Sequence, residues 1–103
     1  MPLQDFVLVH KYDIWGLPDW FFSPGISMRI GTAAKRLGSS RGTLNRHANA
    51  LGLIVLRRQN RHRYFLTLQI ELLRQGKRLD DRKVKRAVRG GENGIKALIS
   101  EAA

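Results

Sequence analysis

Four residues in one short stretch carry side chains able to hydrogen-bond in pairs. Arg41, Asn45, Arg46 and Asn49 are spaced so that on a helix they share one side. An arginine fork grips O6 and N7 of guanine, and a carboxamide pairs with N6 and N7 of adenine. Each such contact is worth ~1–3 kcal/mol of discrimination between bases. Leu44, Ala48 and Leu51 form the opposite stripe, so burying them turns the polar four outward. Ser40, Thr43 and Lys35 nearby are of the types that hold a phosphate. Gly42 weakens the helix, a cost that close approach of its backbone to a phosphate would explain. The same set also fits the solvated side of an ordinary surface helix.

A second cluster follows at once. Arg57, Arg58, Arg61, His62 and Arg63 sit in a polar tip between the apolar runs 54–56 and 64–67, which reads as a β-hairpin. These five would meet phosphates or an adjacent minor groove, where narrow tracts attract arginine. The alternative is a hairpin edge kept unpaired by its charge.

The elements that must position these residues are also legible. Ile30, Ala33, Ala34 and Leu37 make one apolar stripe of a short helix in a pattern beginning at Met28, and Gly38 ends it. Ser39 or Ser40 caps a second helix over residues 41–51, which Gly52 stops. Two short helices joined by a Gly-Ser-Ser turn are a helix-turn-helix layout, and the basic hairpin after them is placed as a wing. Thr67 is expected to cap a helix over 68–75, and Asp80 or Asp81 another reaching about residue 89.

Upstream, residues 6–14 are β-branched and aromatic enough for a strand, followed by a Gly/Pro-punctuated loop with Trp15, Trp20, Phe21 and Phe22. This arm either folds back over the open face of the domain or offers a protein contact through those four aromatics. The expected architecture is mainly α with a small β-hairpin, a winged helix-turn-helix. Residues 1–27 form the arm, 28–90 the DNA-binding domain, and 91–103 a tail or short helix.

Charge points the same way. The 103 residues carry 19 Lys and Arg against eight Asp and Glu, a net +11, and 13 of the cations are Arg. Nine of the 19 Lys and Arg fall in residues 29–70, where there is no acid. Such an excess repels itself unless a polyanion neutralises it; nucleic acid is the first candidate and an anionic membrane surface a weaker second. Apolar residues at 43% supply a core. The absence of cysteine removes disulfides, thiolate zinc sites and thiol catalysis. No run is long enough to cross a bilayer and no secretory signal opens the chain, so a cytoplasmic, nucleoid-associated protein is the default expectation.

The stretch from Ala33 to Gly52 (AAKRLGSSRGTLNRHANALG) resembles the helix-turn-helix of the factor for inversion stimulation, Fis, and of the C-terminal domains of enhancer-binding activators. The shared features are a double Ala, a Gly at the turn, Ser then Arg, Thr-Leu, and a closing Leu-Gly. The resemblance implies sequence-preferring DNA binding through Ser40, Arg41, Thr43 and Asn45, with Arg41 on a guanine and Thr43 on a phosphate. The chain continues well past this motif. Its Ile-Gly, Ala-Lys, Gly-x-Ser, Thr-Leu, Gly-Leu-Ile and Arg-Tyr segments, in that order, resemble the winged N-terminal domain of MerR-type regulators and phage excisionases.

Catalysis is not expected. His10, His47 and His62 are scattered without carboxylates at ligand spacing, so no metal site is expected, and no cofactor motif or nucleophile context is present. The expected function is a small duplex-DNA-binding regulator or architectural factor of phage or mobile-element type. A homodimer is expected, because one short helix reads few bases. RNA binding through the same basic surface, and an adaptor or inhibitor working through the aromatic arm, are the alternatives.

Overall fold

The computed structural model describes residues 10–59 and 62–102. Among these, four short strands form one sheet in the order β1-β3-β4-β2: β1 (Asp13–Ile14), β2 (Ser27–Arg29), β3 (Val55–Arg57) and β4 (Arg63–Leu66). Five helices accompany it: α1 (Ile30–Arg36), α2 (Arg41–His47), α3 (Thr67–Arg74), α4 (Asp81–Arg89) and α5 (Gly91–Ala102). The fold is a small α+β domain. The sheet is larger than the lone hairpin expected, because β1 pairs in parallel with β3, and β2 antiparallel with β4, on either side of it.

Alternation along the hairpin explains the layers. Ile54, Leu56, Tyr64 and Leu66 face one way, joining Tyr12, Ile14, Phe21, Val84, Ala87, Ile95 and Leu98. Val55 and Phe65 face the other way and pack with Ala33, Ala34, Leu44, Ala48, Leu53 and Ile70. Helices α1, α2 and α3 therefore cover one face, and α4, α5 and the arm cover the opposite one. Strands buried on both faces read as continuous apolar runs, which is how residues 53–56 read.

Several boundaries differ from expectation. The strand expected over 6–14 is confined, among described residues, to Asp13–Ile14; residues 1–9 lie outside the described part. The helical pattern beginning at Met28 opens instead with strand β2, because Arg29 is extended and registers against Tyr64. Helix α2 ends at His47, and its last turn tightens: Gly52 N donates to Asn49 O, and Leu53 N to Ala48 O, with Gly52 at φ +68. Thr67 is the first residue of α3, not its cap; its hydroxyl makes no side-chain cap bond. Asp80 caps α4 as expected, accepting from Arg82 N at 2.8 Å.

The stretch expected as a tail or short helix is the twelve-residue helix α5, which contributes Ile95 and Leu98 to the core. Gly94 lets it cross α4, since a Cβ there would collide with the Ala87 carbonyl oxygen. Gln69 is a further buried device: its Oε1 accepts from Ile54 N at 2.8 Å and its Nε2 donates to Gly52 O at 2.9 Å. That amide fixes the lead-in to β3 while leaving neither of its ends unsatisfied. The arm is bound in turn by Ser27 Oγ, which donates to Phe21 O at 2.6 Å.

Candidate nucleic-acid interface

Ser40 starts α2 by accepting from Thr43 N at 3.1 Å, and its hydroxyl donates to Thr43 Oγ1 at 2.9 Å. This cap supplies a partner to one of the free N–H groups at the helix start. Arg46 is exposed on the outer side of α2, with Nη2 3.4 Å from Thr43 Oγ1. Arg41 is exposed at the first turn and lies across α1. Its Nη2 would stand 2.9 Å from a Cβ placed on Gly31, so the missing side chain of Gly31 makes room for the guanidinium.

Arg41 lines a groove of about 400 Å3 that runs between the start of α1 and the hairpin. Arg29, Gly31, Lys35, His62 and Arg63 line it too. Arg29 Nη2 donates to His62 Nδ1 at 2.7 Å, joining the end of β2 to the hairpin tip. Burial and the neighbouring Arg57 lower the pKa of Arg63 from its ordinary value. Among the described residues no carboxylate lines this groove. The acids pair elsewhere: Glu71 with Arg36 and Arg74, Asp81 with Arg78, Glu92 with Lys96.

The other expected contact residues divide. Arg57 is buried, its Nη2 3.1 Å from Asp13 Oδ2, with the Trp15 ring 5.8 Å from its guanidinium carbon. Arg58 turns to the arm as well, 3.5 Å from Asp19 and over the Phe22 ring. Both leave the outward-facing set expected of the hairpin, because arm acids reach them. Arg61 lies outside the described residues. Asn45 and Asn49 are also turned to the arm: Asn45 Oδ1 accepts from His10 Nε2 at 2.8 Å, and Asn49 Oδ1 accepts from Lys11 N. Base-edge pairing by these two amides would require that arm contact to open.

The four aromatics separate in the same manner. Phe21 is fully buried and Phe22 is half-buried, edge-on to Tyr64 at 4.9 Å. Trp15 and Trp20 stay 60% and 46% exposed. From Tyr12 onward the arm therefore covers one sheet face, while His10 reaches Phe65 and Asn45 on the other side, and two indoles stay outside. Arg29 and Gly31 are the groove residues that sequence reasoning missed. The signal for Gly31 was a glycine inside a helical stripe, which invites a packing reason.

Neither a family model, nor a curated protein, nor a solved structure matches this chain. Among the described residues no group of three His, Cys, Asp or Glu could hold a metal ion, and no helix is long and apolar enough to cross a membrane.

Proposed function

We propose that this chain is a sequence-preferring duplex-DNA-binding protein of winged helix-turn-helix type, a small regulator or architectural factor. The observation that carries the reading is the groove of Arg29, Lys35, Arg41 and Arg63, which among the described residues has no acid in its lining, while Asp13, Asp19, Glu71, Asp81 and Glu92 form ion pairs elsewhere. Uncompensated cations around a concave surface attract a polyanion. The order β2, α1, α2, then the β3–β4 hairpin, with β2 paired to β4, supports the winged reading.

In this reading α2 enters the major groove. Arg41 and Arg46 read base edges there. Lys35, Arg29 and Arg63 hold phosphates, and Gly42 admits close backbone approach. Asn45 and Asn49 anchor α2 to the arm, so specificity rests chiefly on the two arginines. Two copies on paired half-sites would supply the recognition length that one short helix lacks. Selection from a pool of random duplexes tests this. Wild type enriches a defined sequence, and Arg41→Ala loses that enrichment while keeping most of its affinity. Equal enrichment by the two proteins contradicts the assignment of Arg41.

The exposure of Trp15 and Trp20 favours a second role for the arm, as a protein contact. Trp20→Ala would then weaken capture of a partner while leaving duplex affinity unchanged; a loss of duplex affinity instead would tie the arm to DNA binding alone.

A further inference from the structure

Helix α4 has a face that the reading above does not use. Arg82, Lys83, Lys85, Arg86 and Arg89 are all exposed, while Val84 and Ala87 are buried and Val88 packs against the core. At 100° per residue the five cations cover the side opposite that apolar stripe. None of them forms an ion pair among the described residues. The two acids at the start of the helix are engaged elsewhere: Asp80 accepts from Arg82 N, and Asp81 pairs with Arg78 at 3.2 Å. Glu101 of α5 borders the cleft beside Lys83 and Arg86 without reaching ion-pair distance.

A merely solvated helix face mixes signs, so that residues three and four apart attract each other. Here Arg82 and Arg86, Lys85 and Arg89, and Lys83 and Arg86 are all like-charged neighbours at those spacings. Arg82 and Lys83 also lie in the first turn, where the helix dipole opposes positive charge. The sequence thus maintains an arrangement that is unfavourable for the isolated helix. It does so on a firmly held element, since Gly94 brings α5 into close contact at Ala87.

The position of α4 gives this face its consequence. Val84 and Ala87 pack on the sheet face opposite the one covered by α1 and α2. We propose that the cationic face of α4 is a second phosphate-backbone surface, with which the protein holds a second DNA duplex while the α1–α2–hairpin groove holds the first. The inference rests on the groove binding DNA, as proposed above. Contacts of this kind are to phosphate alone and carry no sequence preference.

Capture of one duplex by another tests it. A biotinylated duplex is immobilised, the full chain is added, and retention of a fluorescent second duplex is measured. Binding to a single duplex is measured in parallel. Wild type retains the second duplex. Arg82→Gln/Lys85→Gln/Arg86→Gln/Arg89→Gln reduces that retention more than tenfold, while single-duplex affinity falls no more than about fivefold. Lys83→Gln/Lys85→Gln gives an intermediate loss and serves if the fourfold variant fails to fold. Arg41→Gln/Lys35→Gln, in the groove, lowers binding to the first duplex. Retention unchanged by the α4 variants overturns the proposal and assigns bridging to paired grooves. So does wild type that binds one duplex and retains no second, or an α4 face that captures anionic vesicles and not DNA. Wild type that binds no duplex at all removes the groove reading and this inference together.

Discussion

His10 Nε2 donates to Asn45 Oδ1 at 2.8 Å, tying the arm to the middle of helix α2 from 35 residues away. His10 is almost fully buried, edge-on to Phe65, and its Nδ1 is without a hydrogen-bond partner among the described residues. Such a ring is held neutral: desolvation lowers its pKa from 6.5, outweighing the opposing effects of Asn45 and Asp13, while Arg57 and Arg63 push the same way as burial. The residue that orients Asn45 is therefore one that acid would disturb.

A pH dependence of stability follows from this. Because the folded-state pKa is depressed, the unfolded chain takes up the proton first. The His10 contribution is fully present above the unfolded value of 6.5 and is lost as pH falls from there through the lowered folded value. Thermal melts between pH 8 and 5 should show wild type losing stability below pH 6.5 relative to His10→Gln. Parallel curves for the two proteins would show that the ring is not held neutral.

The buried pair of Arg57 and Asp13 predicts a large single-residue effect. Asp13→Ala removes the carboxylate 3.1 Å from a buried guanidinium, and breaking such a pair costs about 3–5 kcal/mol. Replacing both partners, as Asp13→Leu/Arg57→Met, should cost far less, because no buried charge remains. Denaturant unfolding of the two variants distinguishes them. Equal losses would mean that packing, not charge, dominates the site.

Gly94→Ala is expected to destabilise in spite of alanine's better helix propensity. The added methyl meets the Ala87 carbonyl, and overpacking of this kind costs about 1–3 kcal/mol. A melting temperature at or above wild type would show that α5 can shift away from α4 freely.

Gly31→Ala separates stability from recognition. The atoms nearest the new methyl all belong to the flexible end of Arg41, so the fold should tolerate it and gain up to about 1 kcal/mol from helix propensity. Arg41 is pushed off α1, and duplex discrimination should fall severalfold. Unchanged discrimination would mean that the resting place of Arg41 on α1 does not matter for binding.

How much of this was legible in the sequence differs by element. The apolar stripe of α1, the Ser40 cap, the Gly52 stop and the hairpin are governed by local rules, and each appears within a residue or a few of its expected place. Strand β2 was not legible, since its three residues are extended only by pairing with β4. Residues 91–103 read only as a tail or short helix because Gly91, Asn93 and Gly94 look like breakers, and the reason for Gly94 is a contact with another helix. In the candidate site, the outward side of α2 was recognised, but which of its residues meet the arm was not. Asn45 and Asn49 differ from Arg46 only through partners 35 and 38 residues away. Arg57 likewise reads as one more wing cation until Asp13 is brought beside it.

The central claim is that the groove, rather than overall charge, grips the duplex. Its most direct test compares salt dependence in two triple variants that remove equal charge. Lys35→Gln/Arg41→Gln/Arg63→Gln alters the groove, and Arg36→Gln/Arg74→Gln/Arg78→Gln removes arginines already paired with Glu71 or Asp81. Each lost phosphate contact reduces the slope of log K against log salt by about 0.9. Lys35 and Arg63 are the phosphate contacts among the three, so the groove variant should lose roughly two units of slope, with the control close to wild type. Equal slopes for the two variants would contradict the claim and leave only a general attraction between a basic protein and DNA.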